Sequence, residues 1–530
     1  MKQFLTTTTL LSAGALFAGN YYVNNVTGLD SNDGSAPDKA FKSVKLAVGK
    51  AGAGDTIHLA NTGKLYRQSV QLHVSKGGKK DAPLTVDGHG ATLSGADVCD
   101  PANWTEWQNG VFKSTKQVSN VFLLIDGKMV FAVKAFDVLK PGQFCYMPDF
   151  FNRLYFFPPD KKKAGDFTVE VGQPDGSSVK LDPKKWGYTH SSIREVRRYQ
   201  GLKKPTWVKL NGKNVELIMT KNALKPGQWC LEGKVMYLMP PEGKKISDLK
   251  IESIIRQNGV SLSGSTKYYV IKNFNVQHVY NDGYNIHGQI TEAEFYNCNA
   301  RQCGDEGFSS HDKCVTLLDG AVYTECDNGI ANVNVEGSSI TRNVILTDSR
   351  HVGFLISSYK KARHTLENAI IINNPSQLAI ADTVASNLLI VRTGKMYTNA
   401  IGCGRNTVIK NATVAGNSKL IRLDKNSNTI FDSLLAGPGQ SALHVRFDDP
   451  EKLLQIKNSI FASGTIIEWG SRYPWKTMPI GQWLEKYATG SKTENLTFQS
   501  DLLNGKMPEK MPPAGCSKEL IEKYLKYIKK

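Results

Sequence analysis

Beyond its first nineteen residues the chain has no apolar run near the ~18 residues that a transmembrane helix requires, so no membrane span is expected. Acidic residues are in short supply: Asp and Glu number 48 against 66 Lys and Arg, a formal net charge of +18. The LxxLxL pattern of leucine-rich repeats is missing, and the apolar runs of the second half lack helical spacing, which excludes helical and leucine-rich solenoids. Cysteine is sparse at nine, and its spacing is not that of a zinc site. Cys298 and Cys303 form C-x4-C and Cys314 and Cys326 form C-x11-C, so structural thiols or a disulfide are expected there. The odd count leaves at least one thiol unpaired in a monomer.

What is present is a repeat. From Ile271 to about Trp469 an Asn or Asp followed by a short apolar run recurs about every 23 residues, at Asn273, Asn297, Asp319, Asn343, Asn368, Asn387, Asn411, Asp432 and Asn458. A period of this length in β-rich sequence specifies a solenoid whose coils stack only on their neighbours. The fold class is therefore all-β, a right-handed parallel β-helix with coils about 4.8 Å apart. Side chains at one phase of successive coils form lines on its surface.

The flanking segments set the domain boundaries. Residues 1–18, with Lys2, a weakly apolar stretch and small residues near Ala18, form a signal-peptide pattern, which implies a secreted or periplasmic protein. Residues 19–100 make an N-terminal cap and the first coils; Phe41, Val44, Val48 and Ala51 share one face of a short helix that can plug the open core. Residues 101–256 contain an internal duplication. VFLLIDGKMV around Asp126 matches WVKLNGKNVE around Asn211, and LKPGQFCYM matches LKPGQWCLE, both 85 residues apart. We read two antiparallel β-modules, with Cys145 and Cys230 at equivalent places, as buried thiols or alternatively a disulfide. The main β-helix is 257–470, and 471–530 is a capping segment with helices in PIGQWLEKYA and KELIEKYLKYIKK, joined by an extended ENLTFQSDLL. The basic surplus would ordinarily suggest nucleic acid. In an exported β-solenoid an anionic polysaccharide is the better partner, against a plain solubilising lysine surface, and no nucleic acid is expected. A cluster that includes Lys161, Arg194, Arg198, Lys203 and Lys204 lies outside the solenoid. Nothing indicates more than a monomer.

Four coils align on Gly283, Gly307, Gly329 and Gly353. Just before the glycine stand Asp282, Glu306, Asn328 and Val352; one residue earlier stand Asn281, Asp305, Asp327 and His351. Four residues after it come His287, His311, Val333 and Ser357. Tyr284, Phe308, Ile330 and Phe354 take the inward phase, so Asn285, Ser309, His287 and His311 point outward. Carboxylates on adjacent coils lie roughly 5 Å apart, the separation of retaining glycosidases. Like charges that close raise at least one pKa and supply a protonated acid. The candidate catalytic residues are Asp282, Asp305, Glu306 and His311. The candidate substrate-binding residues are His287, Ser309, Asp312, Asp327 and His351. The plain alternative is that Asp, Asn and Gly are simply turn residues of a solenoid with solvated acids. No motif implies a cofactor or a metal, although Asp282, Asp305, Glu306 and Asp327 also supply the hard oxygens that calcium takes.

Several segments resemble known families. The opening YYVNNVTGLDSNDGS, FKSVKLAVGKAGAGDTIHLA and APLTVDGHGATLSG is similar to the N-terminal cap of secreted pectin-lyase-like β-helix proteins. The PGQW turn and LYFFPP or MYLMPP strands resemble modules of secreted β-helix glycosidases. YNDG followed by CGDEG resembles the NTDG and GDDC motifs of polygalacturonases, which implies Asp282, Asp305 and Glu306 as catalytic acids. Glu306 stands where that family has Asp, and no GHG or RIK motif follows. GFSSHD resembles the GFDPHD segment of mannuronan C5-epimerases: Gly307, Phe308, His311 and Asp312 match, while Ser309 replaces the catalytic Asp and Ser310 the Pro.

The expectation is an exported enzyme acting on a polysaccharide or oligosaccharide, foremost a glycoside hydrolase. The alternatives are a polysaccharide lyase or uronate C5-epimerase, for which Lys360, Lys361 and Arg363 offer cations, and a non-catalytic carbohydrate-binding surface protein on the same scaffold.

Overall fold

The computed structural model describes residues 18–73, 77–114, 122–147, 153–159, 162–188, 196–202, 205–215, 217–232, 235–357, 362–394, 399–416, 419–425, 427–437, 441–496 and 498–529. The expected signal segment, apart from Ala18, lies outside them, as do Lys161, Arg194, Lys203, Lys204, Lys360 and Lys361. The chain forms two compact units, one made of the residues up to Gly95 with Arg256–Lys530, the other Ala96–Ile255. No helix among the described residues is long and apolar enough to cross a membrane.

The first unit is a parallel β-helix. A front sheet of twelve strands runs from Val70–Leu72 through Val260–Gly264, Tyr284–Gly288, Glu306–Asp312, Asn328–Asn334 and Val352–Ile356 to Lys476–Pro479. A second, fifteen-stranded sheet contains the longer strands Lys267–Gln277, Thr291–Arg301, Val315–Thr324 and Ser338–Thr347. These long strands bend where one residue takes a left-handed conformation, and the repeat supplies it: Asn273, Asn297, Asn343, Asn368, Asn387, Asn411 and Asn458 all have φ between 49° and 59°. Asparagine tolerates that region better than other side chains with a Cβ. Stacked amides then form a ladder, Asn297 Nδ2 donating to Asn273 Oδ1 at 3.2 Å and Asn387 Nδ2 to Asn368 Oδ1 at 2.8 Å.

The ladder departs from the repeat at two rungs. Asp319 and Asp432 each precede the bend by one residue, and Gly320 (φ 77°) and Ser433 (φ 58°) make it. At the first of these a Cβ would lie 2.7 Å from Asn297 Oδ1, so glycine is required. The displaced carboxylates still serve the ladder, accepting from Asn343 Nδ2 at 2.6 Å and Asn458 Nδ2 at 3.0 Å.

The core is one continuous apolar column in which Tyr284, Phe308, Ile330 and Phe354 stack inward. Its N-terminal end is closed by the helix Val44–Lys50, with Phe41, Val44, Ala47 and Ala51 buried and Val48 partly so. At the other end Ile480, Trp483 and Leu484 of the helix Ile480–Tyr487 join the same core. The last helix, Lys518–Ile528, lies elsewhere: Leu520, Ile521 and Tyr524 pack on Ile370, Ile372, Leu389 and Val391, on the flank of the long-stranded sheet. Its N-cap Ser517 docks on the ladder, its N–H donating to Asn387 Oδ1 at 2.7 Å. The segment expected to be wholly extended is a strand only at Lys492–Glu494, and Phe498–Leu503 is helical, with Phe498 and Leu502 buried in this flanking cluster.

The second unit carries the duplication. Two hairpins turn at Asp126-Gly127 and Asn211-Gly212, all four residues having positive φ, as a two-residue hairpin turn of this type demands. The hairpin Phe122–Phe131 hydrogen-bonds to Ile251–Ile254, and the hairpin at Val208–Val215 to Val169–Gly172. Each copy's hairpin therefore completes the sheet of the other copy's final strand. The turn side chains repeat the exchange: Lys250 N donates to Asp126 Oδ1 at 2.9 Å and Thr168 N to Asn211 Oδ1 at 3.0 Å. All nine cysteines are buried and free; Cys145 and Cys230 sit in separate apolar clusters.

Candidate active site

The glycine alignment coincides with the register of the front sheet. Glu306 pairs with Asn328 and Phe308 with Ile330, and the N–H of Asp305 donates to Asn281 O (3.0 Å), that of Asp327 to Asp305 O (2.7 Å) and that of His351 to Asp327 O (2.8 Å). The glycines themselves allow this stacking. A Cβ on Gly283 would lie 2.6 Å from Gly307 O, and one on Gly307 2.6 Å from Gly329 O, so the coils approach too closely at this corner for any side chain.

Directly before that corner three carboxyl groups converge. Asp282, Asp305 and Glu306 each place an oxygen within 4.8 Å of the others. Asp282 is only 2% exposed. It accepts from the N–H of Glu306 at 3.1 Å, from Asn281 Nδ2 at 3.0 Å and from Asn285 Nδ2. Glu306 is part-buried and accepts from Asn328 Nδ2 at 3.0 Å. Burial pushes Asp305 up to about 7, reinforced by the neighbouring charge of Glu306. Burial likewise pushes Glu306 up to about 7, reinforced by a hydrogen bond to Asp282 and by its charge. Asp282 is also raised, by burial, against the hydrogen bonds from Glu306 and Asn285 that favour its charged form. The three carboxyls are close enough to share protons, so the titration of each depends on the others. Near neutral pH such a group retains a proton among its carboxyls. Its oxygens could equally hold a hard cation such as calcium.

Further along the strand the outward face carries the histidines. His287 and His311 stack with ring centroids 4.3 Å apart and planes 14° off parallel. Burial lowers both from the ordinary histidine value, and for His311 the neighbouring His287 adds to it. Both are therefore neutral at pH 7. His311 Nε2 shares a hydrogen bond with Ser309 Oγ at 2.8 Å, and Ser309 is 1% exposed. His311 lies five positions beyond Glu306, about 16 Å of strand, with Ser309 and, on the preceding coil, Asn285 in between. The histidines thus lie further along the face bearing the acids, without touching them.

The remaining expected residues are engaged differently. Asp327 is bound by Arg350 Nε at 3.2 Å and His351 Nδ1 at 2.8 Å, so it is absent from the carboxyl group that could hold calcium. Asp312 accepts from Gly288 N at 3.0 Å at the end of its strand, where its φ is 58°. Arg363 belongs to the strand Arg363–Ile372 of the long-stranded sheet and lies near Asp382, 3.8 Å away. It is not on the front face.

Sequence reasoning missed Arg350. Besides Asp327, its guanidinium donates to the carbonyls of Cys303 and Gly304 at 2.9 and 2.8 Å, immediately before Asp305, and its charge acts against the raised Asp305 pKa. Its position three residues before the aligned Gly353 was the available signal. Asn258, which accepts from Asp282 N at 3.2 Å and Asn281 Nδ2 at 3.0 Å, was also missed, as it lies one coil before the aligned set.

No family model and no curated protein sequence matches the chain. Among solved structures it is similar to a glycoside hydrolase at 12% identity and TM-score 0.49, covering 95% of this chain and 100% of the other. It is also similar to the GH136 lacto-N-biosidase from Eubacterium ramulus at 10% identity and TM-score 0.41, covering 90% of this chain and 68% of the other. The tailspike gp61 of Pseudomonas phage phi297 aligns at 12% identity and TM-score 0.27, covering 79% and 62%. Likenesses of this degree do not bear on the chemistry.

Proposed function

We propose that the protein is a carbohydrate-active enzyme, a glycoside hydrolase whose proton donor is held by Asp305 and Glu306 on the front face of the β-helix. The observation that carries this reading is the convergence of three carboxyl groups of which two, part-exposed, have pKa values near 7. Glycoside cleavage needs one carboxyl protonated and a second ionised at working pH. Asp305, the most exposed of the three, supplies the proton to the leaving oxygen when protonated. Glu306, in the fraction ionised at working pH, is the partner that acts as nucleophile or base. Asp282, buried and fully hydrogen-bonded, is a positioning residue that keeps Glu306 oriented and its pKa high. His287, His311 and Ser309 form a neutral polar surface against which a sugar ring would lie.

The lyase or epimerase reading has weaker support, because Arg363 lies on the other sheet and Arg350 is occupied in binding Asp327 and backbone carbonyls. Export of the protein belongs to the same proposal. The test is product analysis on a panel of acidic and neutral glycans with the purified full chain. New reducing ends without the absorbance of an unsaturated sugar support the hydrolase; that absorbance supports a lyase. Binding without either product leaves a carbohydrate-binding protein.

A further inference from the structure

The face that carries the acids continues beyond them. From Ser309 the same outward phase passes in register through Ala331, Leu355, Ala379 and Gly402 to Arg422 and His444. Arg422 is five coil steps from Ser309, about 24 Å at the spacing of paired strands. Small side chains dominate the path.

At its far end the charge reverses. Arg422, Lys425, Arg446 and Arg472 gather around one carboxylate, Asp424. Arg422 contacts it through Nε and Nη2 at 2.9 and 2.7 Å, and Arg446 Nη1 lies 3.5 Å away. Two other acids stand nearby: Asp448 accepts from the N–H and hydroxyl of Ser471 at 3.1 and 2.8 Å and keeps its charge, and Glu468 pairs with His444 at 3.0 Å. Lys425 and Arg472 have no acidic partner among the described residues. The group encloses a cavity of about 510 Å³ lined by Asp424, Lys425, Arg446, Ser471 and Arg472. A second cavity of about 250 Å³, lined in part by Ala379, Gly402, Arg422 and Asp424, adjoins it and brings it onto the path from the acids. Beside it Trp475 stands edge-on to His444 at 4.2 Å, and Tyr473 is 84% exposed. Exposed aromatic faces of this kind suit the apolar faces of sugar rings.

We propose that this cluster is a distal subsite for an anionic sugar unit, carboxylated or sulfated, of the same glycan whose scissile bond lies over Asp305 and Glu306. The inference rests on the glycosidase reading for that second half only. Four cations outnumber the nearby carboxylates of Asp424 and Asp448 and repel one another, and an anion entering the cavity offsets that cost. Asp424 pre-orients two guanidiniums, whose planar forks match carboxylate and sulfate oxygens. The separation means that a short oligosaccharide over the acids cannot reach the cluster, whereas a longer chain can.

The experiment is calorimetric titration of the full-length Glu306→Gln protein with three hexasaccharides: oligogalacturonate, a heparin-derived sulfated hexamer, and neutral cellohexaose. One of the two anionic probes is expected to bind, more weakly as salt rises, and the Arg446→Glu/Arg472→Glu double variant to weaken it at least ~10-fold. Both side chains are exposed, so the fold should survive, which matched thermal melts check. Lys184→Glu/Lys185→Glu, which removes the same charge from the other unit, should leave binding unchanged. Equal loss in both double variants, binding unaffected by the first, equal binding of cellohexaose, or no binding of either anionic probe would each overturn the subsite. Turnover by the unmodified protein is followed in parallel. Arg446-dependent binding with no turnover of any glycan overturns the hydrolase and leaves the subsite; turnover of a neutral glycan without anionic binding does the reverse.

Discussion

Glu306 occupies, one coil on, the position of Asp282, and its own backbone N–H donates to the Asp282 carboxylate at 3.1 Å. The parallel stacking that builds the fold thus also places a second carboxyl over a first that is already buried. The shifts in pKa are a consequence of coil geometry, and the predictions follow from that.

Replacing Glu306 by Gln or Asp305 by Asn keeps shape and removes a group that changes protonation in the reaction. Turnover of the true substrate should fall at least ~100-fold in each, with unchanged folding by circular dichroism and thermal melting. Full activity in both variants would place the chemistry elsewhere.

The same substitutions should stabilise the protein at alkaline pH. In the fold Asp305 and Glu306 release protons near 7, raised from ordinary values of 3.8 and 4.5. Between those limits the folded chain binds more protons than the unfolded one, so the stability present below about pH 4 is lost as pH rises through 7. Asp305→Asn or Glu306→Gln should raise the Tm at pH 8 by roughly 1 °C, for about 1 kcal/mol relieved in a chain of this size, and by less at pH 4.5. Activity of the unaltered protein should decline above about pH 7 as the donor empties. A pH-independent Tm difference would show that the carboxyls are not coupled.

His311→Ala should weaken substrate binding more than chemistry, because the ring lies about 16 Å along the strand from Glu306. An increase in KM of about tenfold with kcat within about threefold is expected. A loss in kcat as large as that of Glu306→Gln would make His311 a proton-transfer residue instead.

Asn387→Ala removes a rung that bonds both Asn368 and Ser517. It also places alanine at φ 53°. A loss of about 2 kcal/mol is expected. Hydrogen exchange should quicken first in Lys518–Ile528, whose N-terminal cap rests on that rung. Uniform protection across the helix would mean that its apolar contacts alone hold it.

Much of the fold was legible because a solenoid converts sequence period directly into spatial neighbourhood. Aligning Gly283, Gly307, Gly329 and Gly353 recovered the true register of four coils, and with it the neighbours Asp282 and Glu306. The period was less reliable where chemistry tolerates a substitute: Asp319 resembled a ladder residue, yet glycine makes the bend beside it. The helix at Phe498–Leu503 was hidden because its burial depends on the flank of the long-stranded sheet, which no local pattern announces. Arg350 was invisible as a site residue because its partners are backbone carbonyls, and carbonyls have no sequence signature. In the other unit the 85-residue offset showed two copies. It could not show that their strands are exchanged, since an exchanged and an unexchanged pair have identical sequences.

The chain leaves the β-helix after Gly95 and re-enters it at Arg256, and Asp87 finds its ladder partner Asn273 only 186 residues later. During synthesis the first coils must therefore wait with an unpaired strand edge until the intervening unit has been made. Such late, long-range pairing is slow, and an open edge is a template for wrong partners.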